Sequence, residues 1–303
     1  MRRFVDLHTH SNASDGQLPP AALVALAETS LLAAVALTDH DTTAGLPAAR
    51  EAASALPDLR FISGVEFSAD LADRTLHILG LGIDESSPHL QALAARLRSA
   101  RDERNPKIIA KLRALGVEIT LEDALAVAVD QRMPQTPSVA RGGPRGGRGA
   151  EVLGRPHIAE ALRRKGIVPS TRDAFEQYVG EGGAAYVRRR RPSPRAAISA
   201  IRSAGGTAVL AHPAQLNCED GTELERVLCD LIHDGLNGIE VYHSGHTAEQ
   251  TRLYMALAHE YQLAVSGGSD FHGSSKPETR LGHPRVPASA VTGELAKLLG
   301  QGM

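Results

Sequence analysis

The chain has 303 residues, 42% of them hydrophobic, which is enough to bury one large core or a core with a smaller inserted domain. Its formal net charge of −2 provides no overall basic field for nucleic acid or a membrane surface, and no stretch approaches the ~18 apolar residues of a membrane span. Cys218 and Cys229 offer neither a thiolate metal cluster nor a disulfide framework. With no signal-peptide pattern, these features predict a cytoplasmic protein.

The first predicted strand, residues 4–10, ends in two histidines. Apolar side chains alternate along it, and residues two apart on a strand face the same side. His8 and His10 should therefore point to one place. Asp15 follows in a Ser/Gly turn and can bring a carboxylate back toward them. This arrangement is half of a metal site.

Six more segments of strand length follow, with helical patterns between several of them. The predicted strands are 34–40, 60–68, 75–83, 207–212, 238–243 and 263–270, and the predicted helices are 20–32, 44–55, 194–204, 223–234 and 248–261. This alternation predicts an α/β fold with a parallel sheet, and a closed barrel is its simplest form.

Residues 94–192 interrupt the alternation with helical, charged sequence. Within them, the Gly/Arg-rich segment 141–149 has the composition of a mobile loop. We therefore predict two domains. Residues 1–93 and 193–303 form the barrel, and residues 94–192 form a mainly helical insertion that determines substrate selectivity.

Metal-capable side chains recur where the predicted strands end, and in α/β barrels the active site forms at that rim. Together with Asp15 the set comprises His8, His10, His40, Glu66, His77, His212, Asp270 and His272. Nitrogen and oxygen donors without sulfur favour Mn, Fe or Zn over Ca, Mg or Cu(I). Nine ligands exceed the capacity of one ion, so we expect two or three divalent ions, with a carboxylate such as Glu66 as a bridge.

The order of these motifs resembles that of the polymerase and histidinol phosphatase (PHP) family of phosphoesterases. The matching stretches include DLHTH at 6–10, LTDHD at 37–41, GVE at 64–66, AHP at 211–213 and SDFH at 269–272. The resemblance implies a distorted seven-stranded (β/α) barrel and three ions per chain, with Mn the expected metal. The implied ligand sets are His8, His10, Glu66 and Asp270; then Glu66, His77 and His212; and finally Asp15, His40 and His272.

Within that family the chain is most similar to bacterial enzymes that remove the 3'-phosphate from nucleoside 3',5'-bisphosphates, whose relatives also degrade short 5'-phosphorylated RNA from the 5' end. The stretches GRPHIA at 154–159 and GGTAVLAHP at 205–213 carry this similarity. We expect substrate contacts from Arg101, Arg104, Arg155, His157 and His246, and catalytic roles for His212, His246 and Asp270. Asp39 is expected to orient a metal-binding histidine. The basic run 188–191 reads mainly as a solvated edge, with guidance of an RNA strand as a secondary possibility.

Three alternatives remain open from the sequence. Histidinol phosphate phosphatase uses the same chemistry. A metal-dependent amidohydrolase would commonly carry a bridging lysine on strand four, where this chain has His77 and no lysine, while Glu66 fills the bridging position. A non-catalytic, polymerase-associated module would tolerate missing ligands, and none is missing. Neither a membrane nor an obligate protein partner is expected.

Overall fold

The computed structural model of the chain describes residues 3–72, 74–130 and 153–300. The Gly/Arg-rich segment 141–149, expected to be a mobile loop, lies outside these residues. No helix in the described part of the chain is both long and apolar enough to cross a membrane. The cytoplasmic location stays a prediction.

Within the described residues, eight strands form one sheet in the order β7-β6-β5-β4-β3-β2-β1-β8. The first seven correspond to the predicted strands, and the eighth is a two-residue strand that pairs with β1. Their bounds are β1 Phe4–Asp6, β2 Ala34–Leu37, β3 Arg60–Leu71, β4 Arg74–Leu81, β5 Thr207–Leu210, β6 Gly238–His243, β7 Ala264–Gly268 and β8 Val286–Pro287.

The helices begin at residues suited to helix starts. Ser193 accepts a hydrogen bond from the backbone N–H of Ala196, and Pro194 occupies the first turn of its helix. The helices are α1 Pro20–Thr29, α2 Leu46–Ser54, α3 Pro88–Ala114, α4 Leu121–Asp130, α5 Arg155–Arg164, α6 Thr171–Ala174, α7 Pro194–Ser203, α8 Gly221–His233, α9 Ala248–Glu260 and α10 Gly293–Leu298.

The sheet is not wholly parallel, which corrects the expectation from the sequence. Strands β1–β3 run parallel, as do β5–β7, but β4 is antiparallel to β3 and β5. Leu71 pairs with Arg74, and the two positions between them are too few for a crossover helix. His77 consequently lies in the first half of its strand and reaches the rim from there.

The barrel nearly closes where the ends of β1 and β7 meet. The backbone N–H of Leu7 donates to the oxygen of Gly267 at 3.1 Å, and that of Asp270 donates to the oxygen of His8 at 2.9 Å. A Cβ atom at Gly268 would lie 2.4 Å from the backbone nitrogen of His8, so this close approach requires glycine. Closure brings the first and last metal-capable motifs of the sequence together.

Helix α3 connects two separate apolar cores. Its first half contributes Leu90 and Leu97 to the large core between the barrel and its outer helices. Its second half contributes Ile108 and Leu112 to a core shared with α4, α5 and the residues that follow α6. A third core, which includes Leu7 and Leu79, fills the barrel interior. The division into domains at residues 94 and 192 stays a prediction.

Candidate metal centre and anion-binding cavity

Residues after β1 direct two buried histidines to one place. The chain remains extended beyond Asp6, because Thr9 forms a parallel bridge with Phe271. His8 and His10 are both fully buried, and their Nε2 atoms lie 3.5 and 3.3 Å from Asp270 Oδ1. Residues two apart on the extended chain face the same side, so His8 and His10 converge as the sequence predicted.

Glu66, on β3, is the central carboxylate of the group. Its Oε1 lies 2.9 Å from His77 Nδ1 and 3.1 Å from His212 Nε2. Its Oε2 lies 3.4, 3.2 and 3.1 Å from nitrogens of three histidines on the other side, which are His8, His10 and His40. One carboxylate thus faces two groups of imidazoles, one with each oxygen.

Asp15 lies at the centre of a second group of histidines, next to the Glu66 carboxylate. Its carboxylate lies 3.3 Å from His272 Nε2 and 3.8 Å from nitrogens of His10 and His40. One ligand atom from each of these four residues lies within 4.8 Å of the others. His40 lies between the two groups, because its Nδ1 faces Glu66 and its Nε2 faces Asp15.

Asp39 holds the turn that carries Asp15. One carboxylate oxygen accepts from the Ser11 backbone N–H at 2.8 Å and from the Ser14 hydroxyl at 2.6 Å. The other accepts from the Ser11 hydroxyl at 2.7 Å. These contacts fix the backbone between His10 and Asp15, and an orienting role of Asp39 toward a metal-binding histidine stays a prediction.

The donor atoms at the centre fit divalent cations. His8 Nε2, both ring nitrogens of His10, His40 Nδ1 and Glu66 Oε2 are buried without a hydrogen-bond partner. Buried polar atoms left unpaired are costly and therefore uncommon, and here they converge. Imidazole nitrogens and carboxylate oxygens are the ligands that zinc, manganese and iron take in proteins. The chemistry of this donor set is that of a divalent metal site.

The ionisation of these groups also suits metal binding. Burial lowers the pKa of His40 to about 3 and that of His212 to about 4, so both are neutral and keep a free lone pair. Burial raises the pKa of Glu66, but His40 and His77 more than offset this and hold it well below its usual value. Burial lowers the pKa of His10, whereas Asp270 and Glu66 raise it to about 9, so a cation must displace a proton there.

Glu240, on β6, is a partner that the sequence analysis did not assign. It is fully buried, its Oε1 lies 3.0 Å from His8 Nδ1, and its Oε2 accepts from the His212 backbone N–H at 2.8 Å. A carboxylate at Nδ1 keeps the proton there and leaves Nε2 free to bind a metal. The signal in the sequence that could have revealed Glu240 is a charged residue in the middle of an otherwise apolar, buried strand.

Of His243, the last residue of β6, and His246, which follows it, His243 is nearer the centre. Its Nε2 lies 3.6 Å from Asp270 Oδ2. The His246 ring lies 5.0 Å from the His243 ring and packs edge-on against Tyr254, and its Nδ1 donates to the Val241 oxygen at 3.0 Å. His243 therefore holds the position closer to the carboxylates, and the role of His246 as substrate contact or proton donor stays a prediction.

Beside the centre lies a cavity of about 340 Å³ whose lining is rich in arginine. Asp15, His40, His77 and His212 line it on the side of the metal-capable group. The remaining lining includes five arginines, which are Arg101, Arg104, Arg155, Arg189 and Arg191. A cation-lined space directly next to a candidate metal centre is suited to an anionic substrate.

Buried Asp41 fixes two of these arginines. Its Oδ2 accepts from Arg101 Nη2 at 2.5 Å and from Arg189 Nη1 at 2.8 Å, while its Oδ1 accepts from the Ser68 backbone N–H at 3.2 Å. Burial raises the pKa of Asp41, but the two guanidinium groups more than offset this and hold it well below its usual value. The Nε atoms of both arginines remain buried without a partner. Each arginine is thus held by one nitrogen and keeps donors for a ligand.

The other three arginines are positioned by different contacts. Arg191 Nη1 donates to Asp70 at 2.8 Å, and its buried Nε has no partner. Arg155 Nη1 donates to the Val179 oxygen at 3.1 Å. Burial, together with the neighbouring arginines, lowers the pKa of Arg104 to about 8. Positive charge is therefore crowded in the cavity, which favours a bound anion.

Two parts of the predicted substrate site need revision. His157 caps α5, because its Nδ1 accepts from the Gly154 backbone N–H at 2.9 Å, and it is buried outside the cavity lining. The basic run 188–191 alternates along extended chain. Arg188 and Arg190 are exposed, while Arg189 and Arg191 turn toward the cavity. From the sequence, this run was predicted mainly as a solvated edge and, near Arg188, as a candidate for binding a second phosphate, without a distinction between its inward and outward residues.

Comparison with known proteins decides the family. The sequence model of the PHP domain matches residues 6–134. A 3',5'-nucleoside bisphosphate phosphatase from Chromobacterium violaceum is 34% identical over 279 residues, which cover 92% of this chain and 90% of that protein. The chain belongs to the PHP family of metal-dependent phosphoesterases. It is an enzyme of the hydrolase class.

Two further proteins resemble this PHP protein over 90% or more of its length. A 5'-3' exoribonuclease from Haemophilus influenzae is 34% identical over 272 residues, covering 90% of this chain and 91% of that one. A solved structure described as a metal-dependent phosphoesterase from Bifidobacterium adolescentis superposes with a TM-score of 0.82 at 33% identity, and covers 100% of this chain and 98% of the other. These similarities support the predicted fold class, the enzyme class and divalent metal binding.

Replacement of Glu240 by Gln tests its contact with His8 Nδ1. Glu240→Gln keeps the shape of the side chain but presents a neutral amide to His8 Nδ1, so the orientation and basicity of the ring are less well controlled. We expect affinity for Mn²⁺ to fall by about 10–100-fold, with smaller loss of activity at saturating metal. Metal titration followed by calorimetry measures this. Unchanged metal affinity would contradict the orienting role.

Proposed function

We propose that this PHP protein hydrolyses the 3'-phosphate of nucleoside 3',5'-bisphosphates. The observation that carries the proposal is the arginine cavity, which lies directly beside the metal-capable group and shares His40, His77 and His212 with it. A substrate with two phosphates can place one at each part of the site. The relative from Chromobacterium violaceum is named for this substrate class.

The metal-capable residues fit a centre of three divalent ions, with Mn²⁺ as the proposed metal and Fe or Zn as alternatives. We assign His8, His10, Glu66 and Asp270 to the first ion; Glu66, His77 and His212 to the second; and Asp15, His40 and His272 to the third. Divalent ions at such a centre neutralise phosphoryl charge and activate water near neutral pH. The central place of Glu66 between two groups of imidazoles supports its assignment to two ions.

The chain's own residues supply orientation and charge around the reacting phosphate. Asp270 and His212 face the centre, and we retain both as catalytic residues. Lys276 Nζ lies 2.7 Å from Asp270 Oδ2 and adds a cation that the sequence analysis did not consider. We add His243 to His246 as a proposed proton donor or phosphate contact, because His243 lies beside Asp270.

The arginines give the proposed specificity. Arg101, Arg189 and Arg191 are held by carboxylates through one nitrogen and leave buried N–H donors unpaired. All three guanidinium groups belong to residues that line the cavity, and a phosphate bound there can accept charge-assisted hydrogen bonds from them. Binding energy from this remote phosphate then orients the reacting phosphate at the centre. Short 5'-phosphorylated RNA is the second proposed substrate class, because its terminal nucleotide also carries two phosphates.

A phosphate-release assay tests the proposal. The Mn²⁺-loaded protein is given adenosine 3',5'-bisphosphate or histidinol phosphate, and the products are identified by chromatography. We expect the bisphosphate to yield inorganic phosphate and 5'-AMP. Release of the 5'-phosphate instead, or a clear preference for histidinol phosphate, would overturn the assignment.

A further inference from the structure

A second groove adjoins the arginine cavity. Its volume is about 660 Å³, and α3 and the extended segment 187–192 line it. Arg104 and Arg189 line both spaces, whereas none of the metal-capable residues lines the groove. The groove therefore adjoins the end of the cavity where the arginines are proposed to hold the remote phosphate, and not the end where the other phosphate reacts.

The groove presents cations that have no partner within the described part of the protein. Its basic lining residues are Arg96, Arg104, Lys107, Arg188, Arg189 and Arg190, and Glu103 is the one acidic residue of the described lining. The side chains of Arg96, Lys107 and Arg190 are exposed, and among the described residues none of the three forms an ion pair or a side-chain hydrogen bond. Since the formal net charge of the whole chain is −2, this accumulation of positive charge is local and suits an anion.

The position of the groove selects the part of the substrate that it can meet. A group attached to the 3'-phosphate would lie at the metal-capable group, so only an extension of the 5'-phosphate can continue beyond Arg189 into the groove. Lys107 follows Arg104 by one helical turn and Arg190 follows Arg189, so two unpaired cations lie next to the residues that both spaces share. The described lining contains no aromatic side chain on which a second base could stack. These features favour further phosphoryl groups.

We propose that the protein also removes the 3'-phosphate from nucleosides that carry a diphosphate or a triphosphate at the 5' position, with the additional phosphoryl groups held in the groove. The inference rests on the proposed function, because the reacting phosphate and the first 5'-phosphate keep the places assigned to them. Water supplies the oxygen that bonds to the 3'-phosphorus, the bond from this phosphorus to the 3'-oxygen breaks, and the 3'-oxygen takes up a proton. The products are inorganic phosphate and a nucleoside 5'-diphosphate or 5'-triphosphate, so the phosphoanhydride bonds stay intact.

Neutralisation of the two unpaired cations next to the cavity tests this on the full chain, with Mn²⁺ in excess. The variant is Lys107→Gln with Arg190→Gln, and the substrates are adenosine 3'-phosphate 5'-diphosphate and adenosine 3',5'-bisphosphate. We expect the wild type to convert the 5'-diphosphate to ADP, with a kcat/KM at least equal to that for the bisphosphate. In the variant, kcat/KM for the 5'-diphosphate should fall by about tenfold, since two charge-assisted contacts are lost. That for the bisphosphate should change by less than about twofold, since neither residue lines the cavity.

Two further variants are the controls for charge and position. Arg226→Gln with Arg252→Gln removes the same charge from α8 and α9, outside both spaces, and should leave kcat/KM for both substrates unchanged. Glu103→Gln removes the acidic residue of the groove and should raise kcat/KM for the 5'-diphosphate but not for the bisphosphate. Activity on the bisphosphate also reports that each variant is folded.

Equal losses on both substrates in the Lys107→Gln, Arg190→Gln variant, or no loss on the 5'-diphosphate, would overturn the role of the groove. Release of the terminal 5'-phosphoryl group in place of the 3'-phosphate would overturn it too. A wild-type protein that releases the 3'-phosphate of the bisphosphate but not that of the 5'-diphosphate would overturn the inference and leave the proposed function standing. Groove-dependent action on the 5'-diphosphate, without action on the bisphosphate, would overturn the proposed function alone.

Discussion

Glu66→Gln is expected to abolish most metal binding and to lower kcat/KM by more than about 100-fold, a larger loss than any other single substitution at the centre. The two carboxylate oxygens of Glu66 face different imidazoles, with His77 and His212 at Oε1 and His10 and His40 at Oε2. An amide keeps the volume but removes the charge that both groups share, so more than one ion loses its ligand set. Elemental analysis and steady-state kinetics measure the two effects.

Asp15→Asn is the matched comparison for Glu66→Gln. Asp15 contacts His272, His10 and His40, and it belongs to one proposed ligand set rather than two. We therefore expect Asp15→Asn to lose less metal and less activity than Glu66→Gln. Equal metal loss in the two variants, or a fully active Glu66→Gln protein, would contradict the bridging role of Glu66.

Asp41→Asn should raise the KM for adenosine 3',5'-bisphosphate by about 10–100-fold while kcat at saturation changes little, since two charge-assisted contacts become misplaced. Asp41 is buried and holds Arg101 and Arg189 through one carboxylate oxygen. Loss of its charge leaves two buried guanidinium groups uncompensated, so the free energy of unfolding should also fall by about 3–5 kcal/mol. Kinetics and denaturant titration are the measurements.

Two controls separate positioning of the arginines from a general loss of structure in Asp41→Asn. With 3'-AMP, which lacks the second phosphate, the variant should match the wild type in kcat/KM. Glu85→Gln removes an exposed ion pair with Arg50 and should cost at most about 1 kcal/mol without a change of KM. If Asp41→Asn lost as much kcat/KM with 3'-AMP as with the bisphosphate, Asp41 would support the fold in general and not the binding site of the second phosphate.

The metal-capable group could be predicted because the regular alternation of side chains along each strand fixes the direction of its residues. Alternation along β1 directs His8 and His10 to one side, and the rim of a parallel barrel collects the ends of successive strands. The same rule failed for the direction of β4. The predicted strands ended at residue 68 and began again at residue 75, which left six residues between them. In the structure the two strands extend to Leu71 and Arg74, so the apolar pattern did not reveal the tight reversal.

The partners that were missed depend on contacts between distant parts of the chain. Glu240 meets His8 across 232 positions of sequence, and no local pattern specifies that meeting. Arg189 and Arg191 were read with their neighbours as one basic run, because the inward face of an extended segment can be chosen only when its surroundings are known. Asp41 likewise acquires its role from Arg101, 60 positions away.

We expect one phosphate of the substrate to react at the metal-capable group while the arginine cavity holds the other. Comparison of kcat/KM for adenosine 3',5'-bisphosphate and for 3'-AMP, with the same Mn²⁺-loaded protein, tests it most directly. The two substrates share the reacting phosphate and differ only in the phosphate assigned to Arg101, Arg189 and Arg191. We predict that the bisphosphate is favoured by at least about tenfold, as expected for charge-assisted hydrogen bonds of ~1.5–3 kcal/mol. Equal values for the two substrates would contradict this division of the two phosphates between the metal-capable group and the arginines.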